Sequence, residues 1–225
     1  MMHSINFPVD AVLLLGPTGV GKSPLGDMIA ARGFLGRHAH HMDFGSELRM
    51  IANGNGPSSH YSTSELDFIK GVLDRGLLLE NEHFALAGKI ITQFLHRSRF
   101  STEDLLILNG IPRHTGQAKD ISSFTAIHAL VILDCTADTI YQRLRDNTGG
   151  DRTGRSDDDF ALVSKKIEIF HERTAPLEAY YSTNNSTIYR IMATATSTTE
   201  QSFSTLSSFA ATNPPVSLVT KPPER

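Results

Sequence analysis

Ala11-Val12-Leu13-Leu14-Leu15, then Gly16-Pro17-Thr18-Gly19-Val20-Gly21-Lys22-Ser23, then Pro24-Leu25-Gly26-Asp27-Met28-Ile29-Ala30-Ala31-Arg32, is the stretch that decides the fold. The first part is an apolar run with no polar interruption, the pattern of a strand covered on both faces. The third carries apolar residues at helical spacing. The segment between them fits G-x-x-x-x-G-K-[ST] and joins a buried strand to a helix start, the context that gives this motif its meaning. Its glycines permit positive φ and let backbone N–H groups approach phosphate oxygens. The helix that follows points the positive end of its dipole at the same anion. Lys22 adds a full charge near the β- and γ-phosphates of a nucleotide, and Ser23 stands where a hydroxyl ligates Mg²⁺. The competing reading, a Gly-rich turn with no ligand, leaves the agreement of pattern and context unexplained.

Outward from this segment, apolar runs alternate with amphipathic stretches. Leu105–Leu108, Ala129–Leu133 and Thr187–Met192 read as further strands, and His38–Phe44 as a short fifth. Helical spacing marks Ser23–Arg32, Ser64–Arg75, Glu80–Leu95, Thr136–Arg145 and Asp157–Tyr181, with a closing helix over Thr198–Phe209. Strands separated by helices predict parallel crossovers and a covered sheet, hence an α/β fold. Two stretches break the alternation: 44–79 holds helices and a Gly/Asn/Ser loop but no strand, and 147–153 is a Gly-rich loop edged by Arg145, Arg152 and Arg155. Both are expected as mobile lobes over a cleft. Ala211–Arg225, rich in Pro, Ser and Thr, is expected as a flexible tail.

Composition excludes several classes. With 225 residues, 40% hydrophobic, the chain can bury one sizeable core. A formal net charge of −3 provides no global field for nucleic acid or an anionic membrane, so any anion site must be a local cluster of cations. Cys135 is the single cysteine, which points to a reducing compartment and to simple packing. The first ten residues lack a basic start followed by an apolar run, and no run spans a bilayer, so the expected setting is cytoplasmic. His38, His40 and His41 precede a turn with no Cys or carboxylate at metal-site spacing, and are read as structural. Asp157, Asp158 and Asp159 are read as a helix cap that pairs with arginines.

From about Val12 to Ala210 the chain resembles adenylate kinase and related nucleoside monophosphate kinases. Besides the P-loop, Asn109-Gly110-Ile111-Pro112-Arg113 with Gln117 is similar to the family's D-G-F-P-R…Q. Arg155-Ser156-Asp157-Asp158, Lys165-Lys166, Thr174-Ala175-Pro176-Leu177 and Tyr180-Tyr181 resemble its R-x-D-D, basic pair, T-x-P-L and tyrosine pair. Phe44-Gly45-Ser46-Glu47-Leu48-Arg49 resembles T-G-D-x-L-R. The resemblance implies a three-layer αβα P-loop kinase core with a parallel five-stranded sheet, a helical NMP-binding lobe (about 44–79) and a short LID (about 146–154) without zinc. All of this would lie in one domain over 1–210. It implies transfer of the ATP γ-phosphate to a nucleoside monophosphate with Mg²⁺, by a monomer with no nucleic-acid or membrane partner. Gly16 to Ser23 and Arg143 would hold ATP. Phe44, Arg49, Gly110, Arg113, Gln117, Arg155 and Lys166 would hold the acceptor. Lys22, Arg113, Arg143, Arg155 and Lys166 would compensate charge in transfer. Ser23, and Asn109 through water, would hold the metal. The Ile111–Pro112 bond is expected to be cis.

The chain departs from the pattern at Phe44, where the family has threonine, and at Ser46 and Asn109, where it has aspartate. Lys166 stands for an arginine and loses the bidentate fork. Pro24 sits in a first helical turn, where proline is tolerated. The second LID arginine matches either Arg145 or Arg152. These departures leave two alternatives: a nucleotide-binding protein with weak or no catalysis, and a P-loop kinase for a different small-molecule acceptor.

Overall fold

The structure, a computed structural model, describes residues 5–55, 60–77, 79–150 and 160–219. Five parallel strands form one sheet in the order β2-β3-β1-β4-β5: β1 Val9–Leu15, β2 Ala39–Asp43, β3 Leu105–Asn109, β4 Thr125–Asp134 and β5 Thr187–Met192. Every residue of β1 is buried. Its alternate residues serve two cores: Ala11, Leu13 and Leu15 face one, Val12 and Leu14 the other. That division is why Ala11–Leu15 carries no polar position, while Asp10 at the start of the strand is paired with Arg37 and His128.

Helices cover both faces, giving three layers. α1 (Lys22–Arg32) and α9 (Thr199–Thr212) cover one face through Leu25, Ile29, Leu206 and Ala210. On the other lie α2 (Phe44–Ala52), α3 (Thr63–Arg75), α4 (Phe84–Arg97), α5 (Thr115–Ile121) and α8 (Leu177–Thr183). α6 (Ala137–Arg145) and α7 (Phe160–Ile169) pack on each other through Ile140, Val163 and Ile167. Among the described residues no helix is long and apolar enough to cross a membrane.

Most expected elements sit where the sequence puts them, and the differences have local causes. The Glu80–Leu95 stretch opens with a 3₁₀ turn, Asn81–His83, before α4 begins at Phe84. The single helix expected over Asp157–Tyr181 is broken: α7 widens into a π turn at Phe170–Thr174, and α8 restarts after Pro176, whose missing N–H cannot continue the ladder. The expected tail begins too early. α9 runs to Thr212, the Tyr189 hydroxyl donates to the Asn213 carbonyl at 2.7 Å, and Val216–Val219 forms a further turn, α10. Asp157, Asp158, Asp159, Arg152 and Arg155, with the LID from 151 onward, lie outside the described residues.

Sheet order positions the cleft. The chain passes from β1 to the edge strand β2, returns to β3 between them, then crosses to β4 on the other side. The carboxyl ends of β1 and β3 therefore face a crevice where successive crossovers diverge, the place where open α/β sheets bind ligands.

Candidate active site

The loop leaving β1 takes positive φ at Gly19 (80°) and Gly21 (108°), a region that L side chains rarely enter. Gly21 occupies the N-cap of α1 and offers no side-chain cap, so the first amides of the helix are left to the loop's interior. The Lys22 ammonium folds back over the loop and donates to the carbonyls of Gly16 (2.7 Å) and Pro17 (2.8 Å). Val20, counted with the cradle in the sequence, points away from it: its side chain is buried in the core beneath.

Arg143 sits behind this loop. It is buried, against Gly21, and its guanidinium donates to Thr194 O (2.7 Å), Ser197 O (3.0 Å) and Gly19 O (3.4 Å). The residue expected to clamp ATP and the transferring phosphate thus ties the P-loop to the loop after β5. The resemblance matched its position in the chain, but the fan of backbone carbonyls around it exists only in the fold.

At the mouth of the loop three side chains from three elements meet. Asp43 ends β2 and is paired in register with Asn109, which ends β3. The Ser23 hydroxyl, from α1, donates to Asp43 Oδ2 at 2.5 Å. The Asn109 Nδ2 donates to the same Oδ2 and to Ser23 Oγ, each at 3.1 Å. Asp43 Oδ1 accepts from Ser46 N at 3.0 Å and caps α2. Burial would raise the Asp43 pKa. The hydrogen bonds from Ser23 and the Ser46 amide, with the charges of His41 and Arg49, outweigh it and hold the carboxyl below its ordinary value. Sequence reading passed over Asp43. Its signal was an Asp directly before an apolar helical stretch, three residues ahead of the N–H it caps. A hydroxyl, a carboxylate and an amide at the end of a phosphate cradle are a donor set suited to a hard divalent cation.

The opposite wall carries the cations. Arg113 follows the Ile111–Pro112 bond, which is cis. Burial pushes its pKa down, opposed by the Asp43 charge. Among the described residues its guanidinium makes no hydrogen bond or ion pair. Its backbone is held instead: Gln117 Oε1 accepts from Arg113 N (2.8 Å), and the Thr174 hydroxyl donates to Arg113 O (2.8 Å). Arg49 lines the same cleft and donates to Ser46 Oγ at 2.9 Å. Lys166 reaches in from α7 toward Gly76 at the end of α3.

Two acceptor residues sit differently from their expected use. Gln117 is buried, and its amide is bonded to Arg113 N and to the Leu79 carbonyl (2.8 Å), which makes it a brace for the Arg113 turn. Phe44 is buried with Leu48 and Ile51 in the core, forming apolar floor with Val72 and Leu79 where the family has a polar side chain. The histidine triplet lies outside the cleft. The carboxylate not found near it in sequence is Asp104, which His40 meets at 3.0 Å and His38 at 3.5 Å. His41 turns inward, with Nδ1 on Asp27 (2.7 Å) and Nε2 3.5 Å from Asn109 Nδ2; its ring fills the space that a side chain at Gly26 would occupy.

Comparison with known proteins gives a consistent answer. No family model matches the chain. It is similar to the adenylate kinase of Oenococcus oeni, 28% identical over 187 residues, 80% of this chain and 87% of that protein. The adenylate kinase of Haloarcula marismortui is 26% identical over 196 residues, 76% of this chain and 83% of its own. Among solved structures, a gluconokinase from Sinorhizobium meliloti 1021 superposes with a TM-score of 0.50 at 16% identity, covering 92% of this chain and 97% of the other. A sugar kinase from Janibacter sp. superposes at 0.52 and 14% identity, covering 95% and 100%. The fold is that of a P-loop kinase, and the sequence resembles adenylate kinases.

Proposed function

We propose that this chain is an ATP-dependent nucleoside monophosphate kinase, acting in the cytoplasm. The observation that supports the reading is a single cleft lined by two cationic groups of residues. One is the P-loop with Lys22; the other is the partly buried guanidinium of Arg113, which has no partner among the described residues, beside Arg49. A cation withdrawn from water with its counter-charge incomplete favours an anion at the same spot. Two phosphorylated substrates facing each other across the end of the sheet meet that requirement.

The loop amides and Lys22 hold the donor polyphosphate, Lys22 exchanging carbonyl partners for phosphate oxygens. Arg113 and Arg49 orient the acceptor's phosphate for in-line attack. Its oxygen is already anionic, so no general base is required, and Asp43, held ionised by its hydrogen bonds, is not asked to serve as one. Lys166, and Arg155 from the segment outside the described residues, complete the charge compensation as the lobes close and exclude water. Arg143 contributes by holding the loop. Ser23, Asp43 and Asn109 would hold Mg²⁺ together with ATP, and the ion would supply neutralisation of the β- and γ-phosphate charge.

One observation favours a second reading. The Gln117 amide is bonded to backbone and Phe44 is buried, so two of the expected contacts to the acceptor's nucleoside are otherwise engaged. A phosphorylated acceptor without a base would still satisfy Arg113 and Arg49. A coupled assay for ADP formation with AMP, CMP, UMP, GMP and their deoxy forms separates the two. Turnover with at least one monophosphate supports the first reading; none, with turnover on a phosphorylated non-nucleoside, supports the second.

A further inference from the structure

The kinases that this chain resembles carry an aspartate at the end of the third strand, and here that position is Asn109. Taken alone, the change removes the anionic group from the metal's neighbourhood. The structure holds a carboxylate one strand away, at Asp43, in register with Asn109 and bonded to both it and Ser23. Resting on the nucleotide-kinase reading above, we propose that the anionic partner of the nucleotide's divalent cation has moved from β3 to β2: Asp43 supplies the charge, and Asn109 is its positioning residue.

Three features of the geometry argue for this exchange. First, the Ser23 proton is directed to Asp43 Oδ2, while Asn109 Nδ2 occupies one lone pair of Ser23 Oγ. The remaining lone pair of a hydroxyl so fixed is available to a cation. Second, Asp43 Oδ2 accepts from Ser23 and Asn109 and Oδ1 from Ser46 N, three bonds for a group with about four acceptor sites, which leaves one for a metal-bound water. Third, the Asn109 amide must point its nitrogen toward Asp43, because its oxygen there would face a carboxylate. An aspartate at 109 would put two carboxylates at hydrogen-bonding distance, where like charges cannot both ionise cheaply. The asparagine is therefore the residue that a carboxylate at 43 calls for.

The test is a four-way swap of wild type, Asp43→Asn, Asn109→Asp and the double variant, followed by Mn²⁺ binding with ADP (electron paramagnetic resonance) and by ATP calorimetry with Mg²⁺ and with EDTA. Asparagine caps a helix as well as aspartate, so Asp43→Asn keeps α2 while removing the charge. Expected is a loss of about 10-fold or more in Mn²⁺ affinity for Asp43→Asn, the scale for a lost outer partner of a metal. ATP affinity in EDTA should not fall, since a negative charge near the phosphates is gone. Asn109→Asp alone should not tighten Mn²⁺ binding, and the double variant should recover most of the loss. Unchanged Mn²⁺ affinity in Asp43→Asn, or a double variant no better than the single, overturns the exchange. Absence of ATP uptake by wild type in EDTA would instead overturn the kinase reading on which the exchange rests.

Discussion

Asn109 donates its amide to the carboxylate of Asp43 at 3.1 Å, the two residues standing side by side where β2 and β3 end together at the phosphate loop. This relationship reverses what the departure at position 109 suggests by itself. Asn109→Asp, the substitution that would restore the family pattern, places a second carboxylate against one already held ionised. The protein should lose about 1–3 kcal/mol near pH 7, on the scale of one or two pKa units of mutual interaction. The shared proton raises a folded-state pKa, so the deficit is largest at high pH and shrinks as pH falls through that raised value. Thermal unfolding at pH 7.5 and pH 5 measures it; a gain in both stability and turnover at pH 7.5 would rule the account out.

Asp43 has the opposite sign. Its folded-state pKa lies below the ordinary carboxylate value, so its contribution to stability is present above that ordinary value and is lost as pH falls through the depressed one. Wild type should exceed Asp43→Asn in stability by a constant margin near neutrality, and the two should converge below about pH 4. Urea midpoints across that range give the comparison, and a margin that widens in acid would contradict the assignment.

Arg143 should behave as a structural residue first. Arg143→Met removes the guanidinium that donates to the carbonyls of Thr194 and Ser197 and should cost about 2–4 kcal/mol, from hydrogen bonds made to a buried charged group. Chemical denaturation reads this directly. A variant of wild-type stability that fails only in turnover would restore Arg143 to the cleft.

Arg113 should show the reverse balance. Its partly buried guanidinium lacks a partner among the described residues, so Arg113→Met should leave the fold as stable as wild type or more so, while acceptor use falls about 100-fold or further, in line with loss of a charged, oriented contact. Melting temperature and kcat/KM, measured on one preparation, test the pair of claims. Joint loss of both would mean that Arg113 is holding the fold.

Burial pushes the Cys135 thiol up to about 11, so at pH 8 almost none is thiolate. Ellman's reagent should label it slowly in the folded protein and at the rate of a free thiol in denaturant. Fast labelling of the folded protein would contradict its placement.

The fold was legible because its three central strands have cores buried on both faces: Ala11–Leu15, Leu105–Leu108 and Ala129–Leu133 each read as strands from composition alone, and the P-loop supplied the order of elements around them. The cradle was legible because its chemistry is contiguous in the chain. The rest of the site was less so, because hydrogen-bond partners across a fold leave no mark at either residue. Asp43, Asn109 and Ser23 are far apart in sequence, and the meaning of an asparagine at 109 depends on an aspartate 66 positions earlier. Arg143 and Gln117 show the same limit in reverse: each was identifiable by position, and each turns to backbone carbonyls or amides that only the folded loops supply.

The measurement closest to the central claim is calorimetric titration of ATP with Mg²⁺ into wild type and into Lys22→Met. The account predicts saturable binding at one site in wild type and a large loss in the variant, because the loop amides without the Lys22 ammonium hold the polyphosphate poorly. No heat of binding in wild type, or equal binding by both proteins, would contradict it.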